Sequence, residues 1–159
     1  MRKGKGREAK LCFAGHALMD NRNGLLVDFR VSEANGYCER ETALEMLADH
    51  AQGRVTVGAD RGYDTADFVA GCRRQGVTPH VAMNDSRRRS AIDGRTTHHV
   101  GYGISQTIRM RIEQIFGWVK SIGGLRRSRF RGKQRTQLAA YMVGAYNLLR
   151  LSKLRRVAA

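Results

Sequence analysis

Two carboxylates in separate parts of the sequence could do metal-assisted phosphate chemistry. Asp60 follows a short β-branched run, and sites in open α/β sheets collect where strands end. Glu113 lies beside an apolar stripe of helical period that includes Ile108, Ile112 and Ile115. Carboxylate oxygens bind divalent cations, and two such ions stabilise the attacking and leaving oxygens of phosphoryl transfer. The alternative is structural: a turn aspartate at position 60 and a solvated Arg109–Glu113 pair on a helix edge.

The charge of the chain is large and unevenly distributed. The 159 residues carry a formal net charge of +15, yet residues 11–70 hold ten acidic and five basic side chains. After Glu113 the chain has eleven Lys or Arg and no acid. Such segregation indicates a polyanionic partner, most simply nucleic acid. Four cations of this stretch are expected to bind the phosphate backbone without reading sequence: Arg126, Arg127, Arg129 and Arg131.

Composition excludes several other classes of protein. No run of about 18 apolar residues occurs, so no membrane span is predicted, and the N-terminus does not resemble a signal peptide. A cytoplasmic protein is therefore expected. Cys12, Cys38 and Cys72 form no C-x-x-C pair and show no zinc-ligand spacing with the histidines, which predicts buried thiols in a reducing compartment.

The order of predicted elements is typical of an α/β layered domain with a mixed sheet. Alternating apolar residues around Asn23-Gly24 predict an antiparallel hairpin. Asp64 or Thr65 is expected to cap the helix that follows Asp60, and Asp64 is assigned to that role rather than to chemistry. The predicted elements are strands 11–16, 25–32, 54–60 and 77–83, helices 39–51, 65–76, 104–122 and 137–151 (the last one buried), a mobile basic loop 84–103 and a basic linker 126–135.

Two blocks of residues resemble a known family. The run Gly58-Ala59-Asp60-Arg61-Gly62-Tyr63-Asp64 is similar to the block around the second catalytic aspartate of bacterial insertion-sequence DDE transposases, of the IS-five/IS-four-like group. Arg109, Glu113 and Lys120 match the spacing of that family's C-terminal block, in which Arg precedes the third acid by four positions and Lys follows it by seven. Gln106 stands where the family usually has Tyr, and Tyr102 lies one turn earlier.

The resemblance extends from residue 3 to about residue 153 and implies a fold. It implies a ribonuclease-H-like mixed sheet with flanking helices that lacks its first strand, where the family carries its first catalytic aspartate. Asp20 falls in the hairpin turn and Asp28 in the second hairpin strand, so neither is a convincing substitute. The implied organisation is a basic tail at 1–10, a partial DDE transposase catalytic domain at 11–153 and a C-terminal tail at 154–159.

The resemblance also implies an activity. Asp60 and Glu113 would be catalytic ligands of Mg²⁺ or Mn²⁺ in a complete enzyme that cleaves DNA at the element ends and joins it to target DNA. Arg61, Arg109 and Lys120 would contact DNA phosphates or steady Glu113. Further partners would be an upstream transposase segment or a second copy, and the chain alone is expected to be inactive. The alternatives are a non-catalytic basic nucleic-acid-binding protein and a regulatory fragment that binds the intact transposase or its DNA.

Overall fold

The computed structural model describes residues 6, 8, 12–86, 89–139 and 141–158. The chain divides into two compact units. The first combines Met1–Thr42 with Ile112–Ala159, and the second is Ala43–Arg111. The predicted tail at 1–10 lies outside the described residues apart from positions 6 and 8. The domain boundaries at 10 and 153 stay predictions.

The first unit is built on the predicted hairpin. Strands β1 (Phe13–Met19) and β2 (Leu26–Glu33) pair antiparallel. The Asp20 carboxylate closes the turn by accepting hydrogen bonds from the backbone N–H of Arg22 at 3.1 Å and of Asn23 at 2.9 Å. Gly24 has φ 69°, a left-handed conformation that glycine adopts without strain. The Asn-Gly pattern therefore predicted this hairpin correctly.

Three helices pack with the hairpin in the first unit. They are α5 (Ile112–Ser121), α6 (Lys133–Ala139) and α7 (Tyr141–Ala158), while α1 (Cys38–His50) runs across the division between the units. The core consists of Ile115, Val119, Val143 and Tyr146, with Trp118 edge-on to Tyr146. Phe29 of β2 packs against this cluster. Helix α5, which carries Glu113, is thus anchored to the hairpin by its apolar face.

Side-chain amides cover the outer edge of β2. Gln137 of α6 accepts a hydrogen bond from the backbone N–H of Val31 at 2.6 Å and donates one to the carbonyl of Phe29 at 2.9 Å. Asn147 of α7 does the same to the N–H and the carbonyl of Leu26, both at 2.8 Å. An amide presents a donor and an acceptor as a strand backbone does, so these two side chains satisfy edge groups that a further strand would otherwise pair.

The second unit contains a parallel pair of strands. Strands β3 (Val55–Ala59) and β4 (Val77–Val81) pair in register from Val55↔Val77 to Ala59↔Val81. They are joined by a 3₁₀ turn (Arg61–Tyr63) and helix α2 (Ala66–Arg74), whose buried face includes Phe68 and Cys72. Helices α3 (Gly94–Thr97) and α4 (Val100–Ile108) follow, and a 3₁₀ turn (Arg109–Arg111) ends the unit.

Several predictions are corrected by these elements. The α/β class is confirmed, but the four described strands form two separate two-stranded sheets rather than one mixed sheet. The loop expected at 84–103 contains α3 and the start of α4. The single helix expected at 104–122 is interrupted by the 3₁₀ turn, because residues 109–111 tighten their backbone where the two units meet in sequence.

The C-terminal helix and one cysteine also differ from expectation. Helix α7 was predicted to be buried, yet Tyr141 is 79% and Leu148 70% exposed, because only its Val143 and Tyr146 side faces the core. The helix continues through the predicted tail to Ala158. Cys38 and Cys72 are buried as predicted, whereas Cys12 is exposed ahead of β1. None of the described helices has the length and apolar character required to cross a bilayer.

Candidate functional site

The carboxyl ends of β3 and β4 lie at the same edge of the parallel pair. Their contact extends one residue beyond β4, because the N–H of Ala82 donates to the carbonyl of Ala59 at 3.0 Å. Asp60 comes next and is exposed. Its carboxylate caps the 3₁₀ turn by accepting from the N–H of Gly62 at 2.8 Å. Asp60 therefore stands at the strand edge where the sequence placed it, with most of its acceptor capacity directed to solvent.

Gly58 allows helix α4 to pack closely on β3, the strand that precedes Asp60. A Cβ at Gly58 would lie 3.3 Å from the Ser105 carbonyl oxygen and 3.3 Å from the Cβ of Arg109. A residue with a Cβ would require the helix or the strand to shift by a few tenths of an ångström. The Cβ of Arg109 therefore lies next to Gly58 of β3, two residues before Asp60.

Polar side chains of α4 fasten the helix to the end of β4. The hydroxyl of Tyr102 donates to the carbonyl of Val81 at 3.0 Å. The amide nitrogen of Gln106 donates to the carbonyl of His80 at 2.7 Å, and the amide oxygen of Gln106 accepts from Nε of Arg109 at 3.0 Å. Tyr102 and Gln106, one helical turn apart, thus bind two successive backbone carbonyls of β4. Gln106 also binds Arg109.

Asp64 joins the segments that follow the two strands. It is 1% exposed, and its two carboxylate oxygens accept from the backbone N–H of Asn84 at 2.7 Å and of Ala91 at 2.8 Å. The assignment of Asp64 as the helix cap is wrong, because Thr65 caps α2 by accepting from the N–H of Phe68 at 3.3 Å. Asp64 instead holds both ends of the loop after β4.

His80 is a buried, uncharged residue one position before the end of β4. Its ring is 2% exposed, Nδ1 lies 2.7 Å from the hydroxyl oxygen of Ser105, and buried Nε2 has no hydrogen-bond partner among the described residues. Burial, followed by the nearby His99, lowers the pKa of His80, while the backbone of Gly101 opposes this shift. The imidazole therefore carries no charge at neutral pH.

Glu113 and most of the predicted DNA-binding residues lie in the first unit. Glu113 is exposed in the first turn of α5, and Lys120 is exposed in its last turn. The four predicted phosphate-binding residues between α5 and α6 are all exposed: Arg126, Arg127, Arg129 and Arg131. Arg61, Arg109 and Asp60 belong to the second unit, where Arg61 is exposed and Arg109 half-buried. The convergence of Asp60 and Glu113 stays a prediction.

The donor set suits a hard divalent cation but is incomplete. Asp60 and Glu113 offer carboxylate oxygens, which Mg²⁺ and Mn²⁺ prefer. Within the described part of the chain no group of three or more His, Cys, Asp or Glu is arranged to hold a metal ion. The residues present therefore provide ligands of the right type without forming a full site.

Sequence reasoning missed the roles of Gln106, Asp64 and His80. Gln106 could have been found, because it lies one helical turn before Arg109, at the position where the resembled family usually has Tyr. No local signal separates Asp64 from an ordinary cap residue. The position of His80 in an apolar strand indicates burial but not its bond to Ser105.

Comparison with known families identifies one match. A sequence model described as the transposase DDE domain matches residues 2–148, most of the chain. Asp60, Glu113 and every predicted DNA-binding residue lie within the matched range. No curated protein and no solved structure matches the chain significantly.

Proposed function

The chain belongs to the DDE transposase domain family, and we propose that it is the C-terminal part of such a catalytic domain, of the IS-five/IS-four-like group. It would act in insertion-sequence transposition by metal-dependent phosphodiester cleavage and strand transfer. The observation that carries this proposal is the edge of the parallel strands. There an exposed carboxylate, Asp60, is followed directly by Arg61, and Arg109 packs on the same strand.

Each residue of this edge has a proposed role. Asp60 and Glu113 would bind Mg²⁺ or Mn²⁺, and the bound ions would offset negative charge that develops on the reacting phosphodiester. Arg61 and Arg109 would hold a DNA phosphate near Asp60, because one guanidinium group can donate hydrogen bonds to two oxygens of the same phosphate. Lys120, in the last turn of the helix that carries Glu113, would contact a further phosphate as a point charge.

The local bonding of the two hairpin aspartates supports the view that this is part of a catalytic domain. Asp20 is occupied by its own turn, and although partial burial opposes the effect, hydrogen bonds from Asn23 and Arg22 lower its pKa. Asp28 is paired with Arg30 at 2.8 Å. Both aspartates of the hairpin thus have local structural partners. The first catalytic aspartate would come from a segment outside these 159 residues.

The free edge of β1 supports a missing strand of a ribonuclease-H-like sheet. Because Gln137 binds the outward backbone groups of Val31 and Phe29, the residues opposite them, Gly15 and Ala17, also direct their backbone groups away from the strand pair. These groups have no hydrogen-bond partner among the described residues. An added strand would pair there, whereas the edge of β2 is already covered by amides.

The proposed substrate is DNA, at the element ends and at the target, in the bacterial nucleoid. The exposed Arg126–Arg131 segment has no acidic side chain between α5 and α6, so its cations are available to phosphates. Binding would be non-specific in sequence and would weaken as salt rises, since bound cations release counterions from the DNA.

A non-catalytic function is the second candidate. The observation that favours it is that no metal-binding cluster of three ligands exists among the described residues. A basic fragment of this kind would bind DNA, or an intact transposase, and would regulate transposition without cleaving DNA itself.

A cleavage and strand-transfer assay separates the two candidates. The chain is joined to the polypeptide encoded upstream and is given Mg²⁺ or Mn²⁺ and DNA with element ends. Cleavage is expected from the joined protein and not from the chain alone. Asp60→Asn and Glu113→Gln should abolish it, because the amides keep shape but lose the charge that holds the metal. Asp67→Asn, an exposed acid in the first turn of α2, is the matched control and should keep activity.

The same assay contradicts the proposal in two ways. A joined protein that binds DNA but never cleaves it would favour the regulatory candidate. Cleavage by the 159-residue chain alone that is lost on Asp20→Asn or Asp28→Asn would show that the first catalytic acid is already present in the hairpin.

A further inference from the structure

We infer that Gln106 is the positioning residue for Arg109, holding its guanidinium beside β3, the strand that precedes Asp60, so that it meets a DNA phosphate in one orientation. This inference rests on the proposed function, since it gives Arg109 a phosphate to bind. The geometry is a relay from the backbone to the guanidinium. The His80 carbonyl accepts from the Gln106 amide at 2.7 Å, and the Gln106 amide oxygen accepts from Nε of Arg109 at 3.0 Å.

Only one orientation of the Gln106 amide satisfies both bonds. A carbonyl oxygen accepts only, so the amide nitrogen must face His80. An Arg Nε–H donates only, so the amide oxygen must face Arg109. These two bonds fix Gln106 to the end of β4. The Gln106 amide oxygen therefore holds the Nε atom of Arg109 at a fixed position relative to that strand.

Arg109 is thereby held at two points. Its Cβ sits 3.3 Å from where a Cβ would stand on Gly58, and its Nε is bound by Gln106. The two terminal nitrogens have no hydrogen-bond partner among the described residues. A guanidinium fixed through Nε presents those nitrogens as a planar pair, the geometry that binds two phosphate oxygens. Less rotamer freedom is then lost when DNA binds.

The neutral amide matters as much as the bond. A carboxylate at position 106 would also accept from Nε, but it would pair with the guanidinium and cancel its charge. An amide orients the cation and leaves the full positive charge for phosphate. Because Met and Glu at position 106 both also lose the hydrogen bond to the His80 carbonyl, the DNA affinity of each variant is compared with its thermal stability.

The test uses fluorescence anisotropy with a labelled duplex DNA across a range of salt concentrations. The variants of the full chain are Gln106→Met, Gln106→Glu, Arg109→Ala and the Gln106→Met/Arg109→Ala double substitution. Gln75→Met is the matched control, because Gln75 also donates an amide hydrogen bond to a backbone carbonyl of the same unit, that of Leu44 at 3.1 Å, and does not contact Arg109. Thermal unfolding of each variant is followed in parallel.

Gln106→Met is expected to weaken DNA binding about threefold to tenfold, a coupling common for residues in contact. It should have no further effect once Arg109 is Ala. Gln106→Glu should weaken binding at least as much and lower the salt slope by about one, as Arg109→Ala does, because each removes one phosphate-binding charge. Gln75→Met should leave DNA binding unchanged.

A direct readout does not depend on DNA. The Nε–H resonance of Arg109 in the NMR spectrum should exchange slowly with solvent in the wild type and rapidly in Gln106→Met. If the Gln106 variants fail to fold, the wild-type resonance alone decides, since an Nε–H exchanging as fast as that of an exposed arginine overturns the inference.

The outcomes separate this inference from the proposed function. If Arg109→Ala leaves affinity and salt slope unchanged, Arg109 binds no phosphate, and both the proposed role of Arg109 and the inference fail. If Arg109→Ala weakens binding but Gln106→Met does not, or if the double substitution is additive, the positioning role is wrong and the DNA contact stands.

Discussion

Asp64 offers the sharpest test of how the strand edge is held together. Replacing Asp64 with Asn keeps the shape of the side chain and exchanges one carboxylate oxygen for an NH₂ group. In the wild type both oxygens accept backbone N–H groups, from Asn84 at 2.7 Å and from Ala91 at 2.8 Å, in a position 1% exposed. In Asp64→Asn one of these N–H donors faces another donor, and water cannot replace the lost acceptor.

The expected cost follows from these contacts. A hydrogen bond to a charged group contributes about 1.5–3 kcal/mol, and a buried N–H left without an acceptor costs about 1–3 kcal/mol. The two figures overlap, and a neutral amide is easier to bury than a carboxylate, which offsets part of the loss. We expect Asp64→Asn to lower the free energy of unfolding by about 2–4 kcal/mol, or the Tm by about 5–15 °C for a chain of this size.

Urea denaturation and amide hydrogen exchange measure the effect. The amides of Asn84 and Ala91 should lose protection first, because the loop after β4 opens before the strands separate. Asp67→Asn is the control and should cost less than about 1 kcal/mol, since that carboxylate is exposed in the first turn of α2, where the helix dipole stabilises it only modestly. An Asp64→Asn protein as stable as the control, with both amides still protected, would refute the anchoring role.

Three further predictions concern charge, pH and thiol reactivity. Changing Arg126, Arg127, Arg129 and Arg131 together to Gln should reduce the slope of log affinity for DNA against log salt by about 3–4, and an unchanged slope would remove this segment from the interface. Because burial lowers the pKa of His80, folding stability should fall as pH drops below about 6.5, the ordinary pKa of histidine, where the unfolded chain takes up a proton that the folded chain does not. Urea titrations should show a smaller loss in His80→Asn, and equal losses would contradict this. Burial raises the pKa of Cys72 to about 12, so at pH 8 iodoacetamide should label exposed Cys12 and should reach Cys72 only in denaturant, as mass spectrometry of the labelled peptides would show.

Features set by neighbouring residues were predictable from the sequence. The hairpin follows from Asn23-Gly24 between alternating strands, and the strand before Asp60 follows from its β-branched run. The exposure of Asp60 and Glu113 agrees with their predicted places at a strand end and on a helix edge. Each of these depends on backbone preference or on a short apolar period.

Features set by distant residues were not predictable. Asp64 and Thr65 are both residue types that commonly cap helices. Asp64 binds the backbone N–H groups of Asn84 and Ala91 instead of the helix end, and the positions of those groups cannot be read from the local sequence. Helix α7 is apolar on most sides, and its sequence does not show that only one side finds a core. The 3₁₀ turn at Arg109–Arg111 likewise falls where two units meet in sequence, which a helical period does not record.

Backbone groups and a neutral side-chain amide hold the charged residues of the strand edge in place. The charges of Asp60 and Arg109 therefore remain available to bind a metal ion or a phosphate. Asp60 accepts from a backbone N–H, and Arg109 is bound through Nε to an amide. Among the described residues neither has an ion-pair partner, whereas the ion pairs that are present, such as Arg95–Asp93 at 2.6 Å, lie elsewhere. An arginine already paired with a carboxylate would have to break that pair before binding phosphate. Salt should therefore weaken DNA binding by this edge far more than it changes the edge itself, because screening acts on the charges that face solvent and not on the neutral bonds that hold them.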